Sequence, residues 1–485
     1  MPERLSPLDA SFLYLEQPTT AMHVGSVMVF HPGTTPFSYE RLVQHVAARI
    51  AYVPRYRQRV RAVPGRLANP VWVDDEDFDI SHHVRRSALP RPGTATQLQE
   101  LVARLQARPL DRSRPLWELI LVEGLADGRF AVLTKVHQAL VDGVHAVDLG
   151  QVVLDSCPDI HVPPPSTWHP VTEPSAVELL VGAVADAIRR PQAVLDTLSS
   201  GFGDVRATAG KTLEALSGLA FAARTATRPT PRSPLNPDIG DHRRFLMVST
   251  GLDDYRRVRG HRTVGTAGGA GAGQGANGRK VVTATINDVV LAVLAGALRT
   301  WLMTRGEPVP SDSVVRALVP MSVRAEGQGE AGALGSRVAS LLVDLPTGEP
   351  SPLMRLHQIS YQTKAHREAG QAVDAPAIAG IAGFAPPTLH SLGARVASGL
   401  SRRMFNLVIT NVPGPQQPLY VLGARMLASY PVIPLARGQA LSIGLTSYDG
   451  GVYYGLNADR DAMADLEVIG QCITDALAEM VEAVR

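Results

Sequence analysis

Residues Val136 to Gly143, VHQALVDG, put an imidazole, an amide, a carboxylate and a glycine within a few positions of one another. An imidazole titrates near neutral pH and can move a proton between reactants, a carboxylate can orient it, and a glycine lets the chain turn sharply beside it. The same residues also admit an ordinary structural reading, with Asp142 as a helix N-cap and His137 as a hydrogen-bonded core ring. Local spacing alone leaves both readings open.

Other chemistry-bearing patterns are weaker. His82-His83 is a paired imidazole, but the following VRRS has no acid at the spacing a base would use, so the pair reads as surface or structural. Gly273 to Gly278 matches the spacing of a dinucleotide-binding loop, yet it lies inside GTAGGAGAGQGANG. That run has the composition of a flexible insert and lacks the strand and helix that give the loop its phosphate site. No Walker-type phosphate loop, H-E-x-x-H zinc pair or G-x-S-x-G nucleophile elbow occurs. Cys157 and Cys472 are too few for a disulfide framework and have no metal or redox spacing.

The elements around the VHQALVDG segment follow from patterning. Met22 to Phe30 reads as an apolar strand ended by His31-Pro32-Gly33, and Tyr39 to Ile50 as an amphipathic helix. Trp117 to Val122 and Phe130 to Val136 form a hairpin around Gly124, Asp127 and Gly128. VHQALVDG leaves its second strand as a loop, and helical patterning resumes from Gly143 to Leu154. In the second half Thr285 and Asp288 have capping-box spacing ahead of an apolar stripe reaching about Met303. Strands are expected at Val314 to Leu318, Ser340 to Leu345, Leu407 to Thr410, Leu441 to Ser447 and Val452 to Leu456. Asp449-Gly450 and Gly451 turn between the last two, and a closing helix spans Met463 to Val484.

At 485 residues, 45% of them hydrophobic, the chain exceeds the roughly 250 to 300 residues of one core, so two domains are expected. The division reads as 1–158, a crossover at 159–242 with amphipathic helices near Ser175 to Arg189 and Gly210 to Ala226, and 243–485. Mixed strands and helices in both parts give an α/β class. A net charge of +2, from 47 basic and 45 acidic residues, argues against nucleic acid as a partner. The amino terminus has no secretory pattern, and no stretch approaches the roughly 20 apolar residues of a membrane span. A cytoplasmic protein with at most peripheral membrane contact is expected, and its oligomeric state is not legible.

At VHQALVDG the sequence resembles the H-H-x-x-x-D-G motif of thioester-dependent acyltransferases. The flanking blocks LSPLDASFLYLE, MHVGSVMVF, RPLWELILVEGL and KVHQALVDGV resemble, in order, those of the wax ester synthase/diacylglycerol acyltransferase family. NDVVLAVLAGALR, RALVPMSVR, VDLPTGEP, TNVPGPQQPLY and SYDGGVYYGLNADRD continue the likeness through the second half.

The resemblance implies two chloramphenicol-acetyltransferase-like domains with a tunnel at their interface. It implies an O-acyltransferase with acyl-CoA as co-substrate, a lipid alcohol as acceptor and no resident cofactor or metal. It also implies that the motif's second histidine is the base, and that position is Gln138 here. His137 occupies the first, auxiliary position, Asp142 is structural through an ion pair, and Gly143 permits the turn. Gly335-Ser336 replaces the family's usual glycine-asparagine pair. A glutamine cannot carry a proton between substrates, so a rate reduced by about 10²- to 10⁴-fold is expected, with three outcomes: His137 takes the role, His145 reaches it from the next helix turn, or the chain is an acyl-CoA-binding, lipid-binding or regulatory relative with little turnover. A peptide-forming condensation domain shares the motif but not these flanks.

Overall fold

The computed structural model describes residues 2–33, 37–141, 149–160, 168–189, 230–260, 263–264, 281–282, 284–323, 337–368, 373–374 and 404–485. The first half runs α1 (Pro7–Leu15), β1 (His23–His31), α2 (Tyr39–Ile50), β2 (Gln58–Arg61), β3 (Val71–Asp74), α3 (Ile80–His83), β4 (Val84–Ala88) and α4 (Ala95–Ala107). It continues with β5 (Trp117–Glu123), β6 (Phe130–His137), α5 (Gln138–Val141), α6 (Leu149–Val153) and α7 (Ala176–Arg189). The second half begins with β7 (Arg243–Gly251), α8 (Leu252–Gly260), β8 (Thr263–Val264), β9 (Val281–Val282), α9 (Ile286–Thr304), β10 (Val315–Val323), β11 (Arg337–Leu345) and α10 (Pro352–Glu368). It ends with β12 (Val373–Asp374), β13 (Leu407–Pro413), β14 (Tyr420–Val421), β15 (Ala424–Val432), β16 (Leu441–Tyr448), β17 (Gly451–Asp459) and α11 (Leu466–Glu482).

Two large sheets, beside the two-stranded pairs β2-β3 and β8-β9, organise the described elements into a mixed α/β architecture. One has the order β14-β15-β1-β6-β5-β4, the other β12-β11-β10-β13-β16-β17-β7. The expected hairpins are present: β5 pairs antiparallel with β6, and β16 with β17. Asp449 and Gly450 both have positive φ, 43° and 79°, as the two central residues of a tight hairpin turn require.

The expected boundary at residue 243 does not separate the sheets. Strands β14 and β15 come from the second half yet belong to the first sheet, where β15 runs antiparallel to β1 from Gly25↔Val432 to His31↔Arg425. Without β15 the outer side of β1 would be an open sheet edge, and pairing satisfies its backbone groups. The last residues of β15 pass tightly over β17: a Cβ on Gly455 would fall 1.8 Å from the Pro431 carbonyl oxygen, so only glycine fits there.

A second core joins the two parts. Leu98, Leu101 and Val102 of α4 and Ile120 and Leu133 of the first sheet pack with Phe245 of β7 and Tyr430 of β15. This shared apolar face fixes how β6, which carries the motif, sits against the second half.

Helix α9 has both bonds of the capping box: Asp288 donates its backbone N–H to Thr285 Oγ1, and Thr285 its own to Asp288 Oδ2. At 19 residues it is long and apolar enough to cross a membrane, contrary to the sequence expectation, but 72% of its apolar window is buried inside the protein. It is the central helix of the core of the second half. Asp142, Gly143, His145, Gly335-Ser336, the glycine-rich run Gly273 to Gly278 and the helix expected at Gly210 to Ala226 lie outside the described residues.

Candidate functional site

Strand β6 extends one residue further than its apolar pattern and turns directly into helix α5, where the sequence reading placed a loop. Backbone bonding explains the turn: His137 donates its N–H to Leu116 O at 3.0 Å, and Gln138 donates to Met22 O at 2.9 Å. The next N–H, on Ala139, goes to the Nδ1 of His137 at 3.1 Å. The imidazole thus caps the first turn of α5 with a ring nitrogen in the place a serine or aspartate oxygen would take.

That bond fixes the tautomer. A nitrogen that accepts an N–H is unprotonated, so the ring's proton sits on Nε2. Nε2 faces Glu16 Oε2 at 3.8 Å, longer than a hydrogen bond. The side chain is fully buried. Burial holds its pKa down at about 4, with Glu16 pulling upward and Arg112 downward, so the ring is neutral at pH 7.

Glu16 ties the end of α1 to the motif. Its Oε1 accepts the Met22 N–H at 3.2 Å, and its Oε2 accepts Arg112 Nε at 2.9 Å and also Arg112 Nη2. Arg112 in turn holds Leu13 O at 2.8 Å. Because Met22 O receives Gln138 N–H, the carboxylate and Gln138 act on the same peptide segment from opposite sides. Gln138 itself is half-buried at the strand's end.

Two further buried groups brace this strand. Lys135 donates Nζ to Leu105 O at 3.0 Å and to Arg108 O, at the carboxyl end of α4, where a cation meets the negative end of the helix dipole. Burial lowers its pKa to about 8. His23, in register with His137 across β1 and β6, sends Nε2 to Gln106 O at 2.8 Å. A Cβ on Gly25, which pairs with Lys135 from β1, would fall 1.9 Å from Thr134 O, so the sheet closes only around glycine.

Of the residues expected to carry chemistry, His137 and Gln138 are adjacent and placed at the end of β6; Asp142 and Gly143 fall outside the described residues. His83 is a structural ring, as expected for its pair: Nδ1 donates to Trp117 O at 2.8 Å and the ring stacks on Trp117 at 4.6 Å. Glu16, Arg112, His23 and Lys135 were not singled out from sequence. Lys135 carried a signal nonetheless, being one of only four lysines in an arginine-rich chain and set in an apolar strand.

Comparison with known proteins extends this picture. The model of the wax ester synthase/diacylglycerol acyltransferase catalytic domain matches residues 5–266, and the model of the corresponding C-terminal domain matches residues 334–481. Probable diacylglycerol O-acyltransferase tgs3 of Mycobacterium tuberculosis is 46% identical over 260 residues, 53% of this chain and 96% of that protein. Its probable counterpart tgs2 is 34% identical over 491 residues, 99% of both chains. The solved wax ester synthase/diacylglycerol acyltransferase of Marinobacter aquaeolei VT8 superposes with a TM-score of 0.65 at 29% identity, covering 99% of each chain. The first condensation domain of the calcium-dependent antibiotic synthetase shares the fold alone, with a TM-score of 0.54 at 16% identity, covering 100% of this chain and 98% of that one.

Proposed function

The chain belongs to the wax ester synthase/diacylglycerol acyltransferase family, and on that footing we propose that it is an O-acyltransferase with slow intrinsic turnover. It moves a long-chain acyl group from acyl-CoA to diacylglycerol, giving triacylglycerol, or to a fatty alcohol, giving wax ester. The alcohol oxygen attacks the thioester carbonyl, the carbon–sulfur bond breaks, and the alcohol's proton leaves with the CoA thiol. Donor and acceptor meet in a tunnel between the domains, at the end of β6.

The observation that carries the rate expectation is the pairing of Gln138 with the occupied ring of His137. Gln138 offers an amide oxygen to orient a hydroxyl and an amide N–H to polarise a carbonyl, but it cannot take up the proton. His137 has its one unprotonated nitrogen committed to Ala139. Proximity of bound substrates supplies the remaining acceleration. Asp142 and Gly143 retain the structural roles the motif implies for them. Purified protein given labelled long-chain acyl-CoA with diacylglycerol or a fatty alcohol should form labelled neutral lipid slowly; no product with any acceptor would contradict the reading.

The same two residues support a second reading, a silent acyl-CoA-binding or lipid-binding relative. Tight acyl-CoA binding without turnover would favour it. The protein works in the cytoplasm at the inner membrane face. Exposed Val171, Val177 and Val181, on and beside α7, support lipid contact there. Flotation with anionic liposomes tests this, and failure to float would refute it.

A further inference from the structure

Where the two parts of the molecule meet, close to the motif, lies a cavity of about 10 Å³. Pro18 and His23 line it from the first domain, together with Gln106 in the last turn of α4. Arg243, Leu435 and Asn457 close it from the second. His23, Gln106 and Asn457 are only 3%, 4% and 5% exposed. Yet His23 Nδ1, both atoms of the Gln106 amide and Asn457 Oδ1 are buried without a hydrogen-bond partner among the described residues. Buried polar atoms are nearly always paired, and four such atoms around one cavity define what it would hold.

Their chemistry is specific. His23 Nε2 donates to Gln106 O, so the ring's proton is spent there and Nδ1 is an acceptor. Asn457 Nδ2 donates to Ile433 O at 2.8 Å, which leaves its Oδ1 as a second acceptor. The Gln106 amide offers a donor and a third acceptor. Arg243 is committed to the carbonyls of Gly240, His242 and Thr19. The ligand must therefore donate to at least two acceptors and accept from an amide. An anion cannot donate, an alcohol hydroxyl has one proton for the acceptors, and a volume of this size admits about one oxygen atom.

We propose that this cavity is a binding site for one water molecule, which joins His23 of β1 to Asn457 of β17 and the end of α4. Thr19, held by Arg243, lies in the turn between Glu16 and Met22, and His23 pairs with His137. The water therefore locks the second domain to the peptide segment that positions Gln138.

A crystal structure of the full chain at about 2 Å or better tests the site directly. The expected result is a single water peak within hydrogen-bond distance of His23 Nδ1 and of either Asn457 Oδ1 or the Gln106 amide. A cavity without density, its polar atoms still unpaired, would overturn the proposal. A second measurement has opposite signs for the two cases. The Gln106 amide makes no protein hydrogen bond, so in a dry cavity Gln106→Met removes a buried unpaired amide and raises Tm. With water bound, the same substitution removes one of its partners and lowers Tm.

Discussion

The backbone N–H of Ala139 donates to the Nδ1 of His137 at 3.1 Å, and this one bond converts a residue that looked like a catalytic histidine's neighbour into the cap of the helix that follows it. An imidazole used this way holds the chain's direction as β6 ends, and its single lone-pair nitrogen is unavailable for proton transfer. The capping role separates by substitution. His137→Ala leaves the buried Ala139 N–H unpaired and should cost about 1–3 kcal/mol. His137→Asn supplies an oxygen acceptor and should recover most of that in urea unfolding, with turnover within a few-fold of the parent. A fully stable Asn variant with no turnover would make His137 a proton carrier instead.

Glu16 is expected to act on Gln138 through Met22, whose N–H it accepts and whose C=O receives the Gln138 N–H. Glu16→Ala frees the Met22 N–H and removes the Arg112 partner. Steady-state kinetics should show kcat lowered roughly tenfold with KM for acyl-CoA little changed, the pattern of lost positioning and retained binding. Glu16→Gln keeps the acceptor for Met22 and should lie between. An equal change in KM alone would place Glu16 in substrate binding.

Acid should unfold the protein through its buried imidazoles. His83 and His137 have pKa values lowered by burial to about 4 against an unfolded value near 6.5. Below pH 6.5 the unfolded chain takes up protons that the folded chain refuses, so stability is fully present above about 6.5 and falls as pH drops to about 4. The loss is on the order of 3 kcal/mol for each ring. Urea unfolding at pH 7 and pH 4.5 measures it; a flat profile contradicts the assignment of both rings as buried and neutral.

Lys135→Met should destabilise the docking of α4. Its ammonium satisfies the carbonyls of Leu105 and Arg108, and an apolar side chain of similar length leaves both short of a partner, a loss of about 2–3 kcal/mol. Hydrogen exchange should quicken in the last turn of α4 before it does in β16 or β17. Uniform exchange across both domains would argue against a local brace.

Much of this architecture was legible in the residues. The periodicity of Tyr39 to Ile50 gave α2 its limits, and Thr285 with Asp288 fixed the start of α9, because both signals are local. The membership of β15 in the first sheet was not legible, since Ala424 to Val432 pairs with β1 about 400 positions earlier and nothing in a strand names its partner. The placement of Gln138 and His137 together at the end of β6 was readable from the apolar strand before them. The state of His137 was not: whether a ring nitrogen meets a substrate or the backbone two residues on depends on the turn after β6. Buried Glu16 and Lys135 were hidden for the same reason, as their partners at Met22, Leu105 and Arg108 are backbone atoms without a sequence signature.

The most direct measurement compares initial rates of the parent chain and Gln138→His with one long-chain acyl-CoA and one diacylglycerol, after both proteins are shown to be equally folded. If position 138 is the seat of the base, as proposed, an imidazole there supplies the proton carrier that glutamine cannot be, and kcat/KM should rise by about 10² to 10⁴ while KM changes little. A variant no faster than the parent, or a parent already as fast as the variant, would show that turnover in this fold does not depend on a base at that position.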